Sequence, residues 1–140
     1  MAYVPKALRK RLALQARSRC GYCLTSEAIV GLPMEIEHII PESLGGPTEE
    51  DNLWLACSPC NTYKSDRITA RDPFTDEVVP LFNPRRQLWH EHFTWKDKGA
   101  RIDGVTPTGR ATVEALVLNR PVLVRARQVW NAVGWHPPKE

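Results

Sequence analysis

Two Cys-x-x-Cys pairs constrain this chain more than any other feature. Cys20 and Cys23 form the first pair, Cys57 and Cys60 form the second, and 33 residues separate Cys23 from Cys57. Four thiolates at such spacing can close a tetrahedral Zn²⁺ site. The basic N-terminal segment lacks the apolar core of a secretory signal, which favours metal ligation over disulfide formation. The sequence therefore predicts one structural Zn²⁺ site.

Length and composition indicate an ordinary globular protein. The chain has 140 residues, of which 42% are hydrophobic and 25% are charged. These values are typical of a single domain with a moderate core. No apolar run approaches the roughly 18 residues that a membrane span requires. We expect a cytoplasmic protein.

Charge is distributed unevenly along the chain. Residues 1–20 carry six basic and no acidic side chains, whereas residues 21–60 carry seven acidic and no basic ones. An acidic centre between basic flanks suits a site that holds a cation within a phosphate-binding surface. The alternative is that these charges only solvate helices.

Hydrophobic periodicity predicts helices and strands between and around the two cysteine pairs. A helix is expected over residues 5–19, a strand over residues 34–40 and a second strand over residues 53–56. A helix follows, with Ser58 as its N-cap, and runs to about residue 64 or 66. The result is a hairpin followed by a helix, with the end of the first strand facing the helix start.

Several side chains suited to hydrolysis fall in this arrangement. Glu37 on the strand and Asn61 on the helix could meet a cation, and the imidazole of His38 is the natural proton acceptor near neutral pH. Asn61 could equally be a solvent-facing amide, and Lys64, on the same helical face, could be an ordinary surface lysine.

The segment EIEHIIPESLGGPTEEDNLWLACSPCNTYKSD resembles the HNH endonuclease family, whose core is a ββα-metal fold, and the resemblance extends from Cys20 to Asp66. It implies the following roles: general base for His38, loop-bracing central asparagine for Asn52, catalytic cation ligands for Glu37 and Asn61, and phosphate or transition-state contact for Lys64. Two departures bear on the metal. Glu37 is one methylene longer than the aspartate of many members, and Asn61 is a weaker ligand than histidine.

The resemblance implies a metal-dependent nuclease of bacterial or phage origin. It would hydrolyse DNA to 5′-phosphate and 3′-hydroxyl ends with Mg²⁺ or Mn²⁺, while zinc serves the structure. The expected fold class is α+β, in a single domain over residues 1–140 with a core at 20–66 and an accessory region at 67–140. A zinc-stabilised nucleic-acid-binding module that does not cut is the main alternative, and a partner-docking role is a third.

The accessory region is expected to contain further strands and helices. We predict a strand over residues 78–82, a helix that begins after Asn83 and Pro84, and a hairpin formed by residues 93–96 and 101–105. Thr108 and Asn119 should each open a helix. The last helix carries Arg125 and Arg127, which we predict to contact nucleic-acid phosphates.

Overall fold

The structure, a computed structural model, describes residues 3–139. The chain forms two compact units. The first comprises the chain up to Ile68 together with Asn83–Gln87, and the second comprises Thr69–Phe82 together with the chain from Leu88 onward. The expectation of a single domain over the whole chain stays a prediction.

The first unit contains a hairpin followed by a helix. Its helices and strands are α1 (Lys6–Ala16), α2 (Glu27–Val30), β1 (Glu35–His38), β2 (Leu53–Ala56) and α3 (Ser58–Lys64). Strands β1 and β2 are antiparallel, and His38 pairs with Leu53 at the end of β1. The predicted ββα arrangement is confirmed.

Apolar side chains explain how α1 is packed. Leu8, Leu12 and Ala16 recur at every fourth position, which places them on one helical face, and all three are buried. Helix α1 ends where Arg17 adopts a left-handed conformation, and the Arg17 amide then donates to main-chain carbonyls of the last turn.

The start of α3 differs from the prediction by one residue. Cys57, rather than Ser58, is the N-cap, and it makes no side-chain cap hydrogen bond. Ser58 is already helical and Pro59 lies in the first turn, where its missing amide hydrogen costs nothing. Because Cys57 precedes the helix in an extended conformation, its thiol remains available to the cysteine cluster.

The second unit contains two hairpins and three helices among the described residues. Its elements are β3 (Thr69–Arg71), β4 (Val78–Pro80), α4 (Trp89–His92), β5 (Phe93–Lys96), β6 (Arg101–Gly104), α5 (Pro107–Ala115) and α6 (Pro121–Ala132). Strands β3 and β4 pair antiparallel, as do β5 and β6. The predicted hairpin of residues 93–96 and 101–105 is confirmed to within one residue.

Three predicted helix starts in the accessory region are wrong. The segment after Asn83 is a turn, because the Asn83 carboxamide accepts from the amides of Arg85 and Arg86, and helix begins only at α4. Thr106 replaces Thr108 as the cap of α5 and accepts from the Gly109 amide. The third helix, α6, begins after Arg120 rather than at Asn119.

Asn119 serves a different purpose. Its carboxamide oxygen accepts from the Ile102 amide, and its nitrogen donates to the Ile102 carbonyl. The side chain therefore continues the edge of β6 and does not cap a helix.

The mixture of helices and small antiparallel sheets confirms the α+β class. No helix formed by residues 3–139 is long and apolar enough to cross a membrane.

Candidate active site and metal centre

The four cysteines converge on one point. Their sulfur atoms all lie within 4.8 Å of one another, and the Cys23 and Cys57 sulfurs are 3.7 Å apart. A tetrahedral Zn²⁺ with Zn–S bonds of about 2.3 Å sets its sulfurs about 3.8 Å apart, so the spacing fits zinc. The predicted ligand cluster is confirmed, and it is of the kind that holds a structural metal.

The surroundings of the cluster favour a bound cation. Cys20, Cys23 and Cys60 are buried. Burial raises the pKa of Cys20 well above its ordinary value, whereas hydrogen bonds from the other thiols lower the pKa of Cys23. Thiols release their protons when they bind a metal, so four thiols this close together suit a cation. The cluster joins the end of α1 to the start of α3.

His38 lies at the end of β1 and faces the loop that connects β1 to β2. Its Nε2 atom is 2.9 Å from the Thr48 hydroxyl oxygen and 3.9 Å from a Glu42 carboxylate oxygen. The His38 side chain is 9% exposed, and both of these partners lie in that loop. Thr48 therefore fixes the orientation of the imidazole.

Asn52 ties this loop to the end of β1. Its carboxamide oxygen accepts from the Ile40 amide at 2.8 Å, and its nitrogen donates to the carbonyls of Ile40 and Pro47, both at 2.9 Å. Gly46 is required at the same point, because a Cβ there would lie 1.7 Å from the Ile40 carbonyl oxygen. The predicted bracing role of Asn52 corresponds to these hydrogen bonds.

Glu37 and Lys64 are both buried, at 2% exposure each, and they form an ion pair of 2.8 Å. The Tyr22 hydroxyl lies 2.7 Å from both carboxylate oxygens of Glu37. Burial raises the pKa of Glu37, although the Lys64 charge and hydrogen bonds from Lys64 and Tyr22 act in the opposite direction. Lys64 is thus not placed to meet a phosphate, contrary to the expectation from the resemblance.

Asn61 lies apart from this buried pair. Its carboxamide nitrogen donates to a Glu35 carboxylate oxygen at 2.9 Å, in a contact that is exposed to solvent. A carboxylate and an amide oxygen are suitable ligands for Mg²⁺ or Mn²⁺. As arranged here, however, the carboxylate of Glu37 is buried against Tyr22 and Lys64. These side chains do not fit a catalytic cation in this arrangement, and the cation roles of Glu37 and Asn61 stay predictions.

The two arginines predicted to contact nucleic acid differ in environment. Arg125 is exposed on α6, whereas Arg127 is fully buried. The Arg127 guanidinium donates to the carbonyls of Leu118 at 2.7 Å and Ala100 at 3.1 Å. Arg127 therefore supports the main chain of the second unit, and its guanidinium is not offered to a phosphate.

Three side chains near the site were not found by sequence reasoning. Glu35 shares a strand face with Glu37, so the period of two could have indicated it. Tyr22 lies between two of the clustered cysteines, where an aromatic residue carries no obvious signal. Thr48 lies in a polar loop among other hydrogen-bonding side chains.

Comparisons with known proteins give one match. Residues 20–67 match the family model described as HNH endonuclease. No curated protein and no solved structure matches the chain. The matched segment contains the cysteine cluster, the β1–β2 hairpin and α3, and the resemblance of this segment to the HNH endonucleases is therefore confirmed.

Proposed function

We propose that this protein is a metal-dependent endonuclease that hydrolyses phosphodiester bonds of DNA, with His38 as its general base. The match to the HNH endonucleases supports nuclease-type chemistry in general. The observation that carries the specific proposal is the position of His38. Its ring lies at the end of β1, held by Thr48 on a loop that Asn52 ties down.

The hydrogen bond to Thr48 bears on how His38 would act. When Nε2 carries the proton and donates it to the Thr48 hydroxyl, the Nδ1 atom holds the lone pair that a general base needs. Nδ1 would take one proton from a water molecule. The resulting hydroxide would attack the phosphorus atom, the bond from phosphorus to the 3′ oxygen would break, and the 3′ oxygen would leave with a proton from solvent water.

The resemblance also implies a divalent cation, Mg²⁺ or Mn²⁺. Glu37 and Asn61 do not form a site for that ion, because Glu37 is paired with Lys64 and Asn61 donates to Glu35. Asn52 and Thr48 are instead proposed to keep the imidazole in one orientation, which lowers the entropic cost of reaching the transition state.

A second function is favoured by one observation. The Glu37 carboxylate is neutralised by Lys64 and is shielded from solvent. A zinc-stabilised module that binds nucleic acid without cutting it has no need of an accessible carboxylate. This alternative therefore remains the competing proposal.

The test is nicking of supercoiled plasmid with Mg²⁺ or Mn²⁺ present. His38→Ala is expected to retain its zinc and its affinity for DNA but to nick about 10² to 10⁴ times more slowly, because a positioned base is lost. His90→Ala is the matched control, since His90 is an exposed histidine of the second unit. It should nick at the wild-type rate.

Two results would contradict the proposal. Undiminished cutting by a folded His38→Ala variant would remove His38 from the reaction. DNA binding by a wild-type protein that never nicks, with either metal, would favour the non-cutting module.

A further inference from the structure

The Lys64 ammonium group is surrounded by three oxygen atoms. It lies 2.8 Å from a Glu37 carboxylate oxygen, 2.9 Å from the Ile39 carbonyl oxygen and 3.2 Å from the His38 carbonyl oxygen. An ammonium group has three N–H donors, so these three acceptors use its full capacity. Lys64 thus holds the carbonyl groups of two successive residues, His38 and Ile39.

The opposite end of this network reaches the cysteine cluster. Tyr22 stands between the zinc ligands Cys20 and Cys23, and its ring is fully buried. Its hydroxyl donates to the Glu37 carboxylate and lies 2.7 Å from each carboxylate oxygen. A continuous path of contacts leads from the cluster through Tyr22, Glu37 and Lys64 to the His38 carbonyl.

Stability alone does not account for such a network. Removing two charges from water costs several kcal/mol per ion, and apolar residues of similar volume often serve a protein interior equally well. What the ion pair adds is a fixed geometry. The hydrogen bonds from Lys64 require the main-chain carbonyls of residues 38 and 39 to lie in one place. Helix α3 is anchored at both ends, because Cys57 and Cys60 at its start belong to the cysteine cluster and Lys64 at its end makes the contacts described above.

We infer that Tyr22, Glu37 and Lys64 are positioning residues for His38, connecting the metal cluster to the main chain that carries the base. This inference rests on the proposed function. It assigns Glu37 and Lys64 a role that differs from those implied by the resemblance, namely cation ligand and phosphate contact. The three residues would act on the turnover rate through the geometry of His38 and would not touch the substrate.

The mildest test is Tyr22→Phe, which removes one hydroxyl group and keeps the ring. The plasmid-nicking rate at saturating DNA is expected to fall about 10- to 100-fold, because a small misplacement of a catalytic group is costly, while KM and the zinc content of one ion per chain stay unchanged. Tyr3→Phe is the matched control, because Tyr3 is 82% exposed. It should behave as the wild type.

Lys64→Met tests the other end of the network, with exposed Lys96→Met as its control. We expect a loss in kcat and none in affinity for DNA. Lys64→Met leaves Glu37 without its partner. If the variant does not fold for that reason, the double variant Glu37→Gln with Lys64→Met, which removes both charges, is used in place of the single variant. A rise in KM at constant kcat would show that Lys64 meets the phosphate, which would overturn the inference.

A spectroscopic measurement separates this inference from the proposed function. The carbonyl ¹³C signals of His38 and Ile39 and the His38 ring signals are expected to shift in Tyr22→Phe and in the Lys64 variant, relative to the two controls. Unchanged signals would overturn the positioning role. If the wild-type protein never nicks DNA, the proposed function fails and these signals alone decide whether the network positions His38.

Glu37 has its own distinguishing experiment. If Glu37 acts through Lys64, raising the concentration of Mg²⁺ or Mn²⁺ should not restore nicking by Glu37→Gln. Recovery at high metal concentration would identify Glu37 as a cation ligand and would overturn its place in the network.

Discussion

Buried polar groups have different roles in the two compact units. In the first unit, four sulfurs surround a metal-sized point, and the Glu37–Lys64 pair lies beside the proposed catalytic histidine. In the second unit, the buried guanidinium of Arg127 and the buried carboxylate of Asp72 support main chain and hairpin. Buried charges thus lie beside the candidate site in the first unit, whereas in the second unit they support only the fold.

The apolar interiors differ in a similar way. Aromatic rings form an extended cluster in the second unit, where Trp89 lies 5.1 Å from both Phe93 and Trp95 and Phe82 lies 5.1 Å from Phe93, centroid to centroid. Such rings bury much area each. The buried side chains of the first unit are mostly aliphatic residues and cysteines. The first unit should therefore depend on a metal to a degree that the second does not.

The largest expected effect is the loss of that metal. Structural zinc in sites of this kind contributes on the order of 10 kcal/mol to folding, so Cys57→Ser should unfold the first unit or severely destabilise it. Hydrogen exchange measured by mass spectrometry should show lost protection concentrated in the chain up to Ile68. Exposed Ser58→Ala is the control and should retain wild-type protection.

Two outcomes would break the comparison. Full protection in a Cys57→Ser variant that holds no zinc would show that the metal is dispensable for folding. Protection lost evenly along the whole chain would show that the two units unfold together.

Next in size is the effect of removing the buried guanidinium from the second unit. Arg127→Met keeps a long side chain but leaves the carbonyls of Leu118 and Ala100 without this donor. Unsatisfied buried groups cost about 1–3 kcal/mol each, so the free energy of unfolding should fall by about 3 kcal/mol. Urea titration followed by tryptophan fluorescence measures it, since Trp95 lies 5.6 Å from the guanidinium carbon.

Arg125→Met is the matched control for this experiment. Arg125 lies on the same helix and is exposed, so its replacement should change the free energy of unfolding by no more than about 0.5 kcal/mol. Equal effects of the two substitutions would contradict the structural role of Arg127.

A smaller, pH-dependent effect is expected at Asp72. Both carboxylate oxygens of this buried side chain accept from the Arg110 guanidinium, at 3.0 and 2.9 Å. Those hydrogen bonds hold the pKa of Asp72 well below its usual range. Because the folded-state pKa is depressed, the stabilisation is present above the unfolded pKa of about 3.9 and is lost as the pH falls further below it.

Thermal unfolding across pH checks this expectation. Asp72→Asn should lower Tm at pH 7, and the difference from the wild type should narrow as the pH falls below about 4. Asp76→Asn is the control, because the ion pair between Asp76 and Arg71 is exposed, at 83% and 60% of their side chains. A pH-independent difference for Asp72→Asn would show that packing, rather than charge, explains its effect.

What could be predicted from the sequence is what local spacing encodes. The cysteine cluster follows from two short cysteine motifs, and the β1–β2 hairpin follows from alternation and from the turn residues between the strands. The predicted N-cap of α3, Ser58, is one residue late, because serine is a common cap residue and proline, which follows it here, is common at the first helical position. The choice depends on where the thiol of Cys57 is required.

Contacts between residues that are far apart in the sequence could not be predicted from local spacing. Glu37 and Lys64 are each unremarkable as charged residues, and only the fold brings them together beneath Tyr22. Arg127 shows the same limit, since arginine usually lies at the surface. One signal was nevertheless present. Arg127 follows Leu123 by four positions, and both lie on the buried face of α6.

The smallest predicted effect concerns Arg125, the exposed member of the predicted phosphate-binding pair. If α6 contacts DNA, Arg125→Ala should weaken binding on all sequences alike and should reduce the slope of log K against log salt by about 1, because one phosphate contact is lost. Fluorescence anisotropy with labelled duplex DNA across a salt series measures that slope. Exposed Gln128→Ala on the same helix is the matched control, since it removes a side chain without charge.

An unchanged slope in Arg125→Ala would assign the α6 surface to solvent or to a protein partner. The phosphate contacts would then have to come from other basic residues, of which α1 carries the densest group.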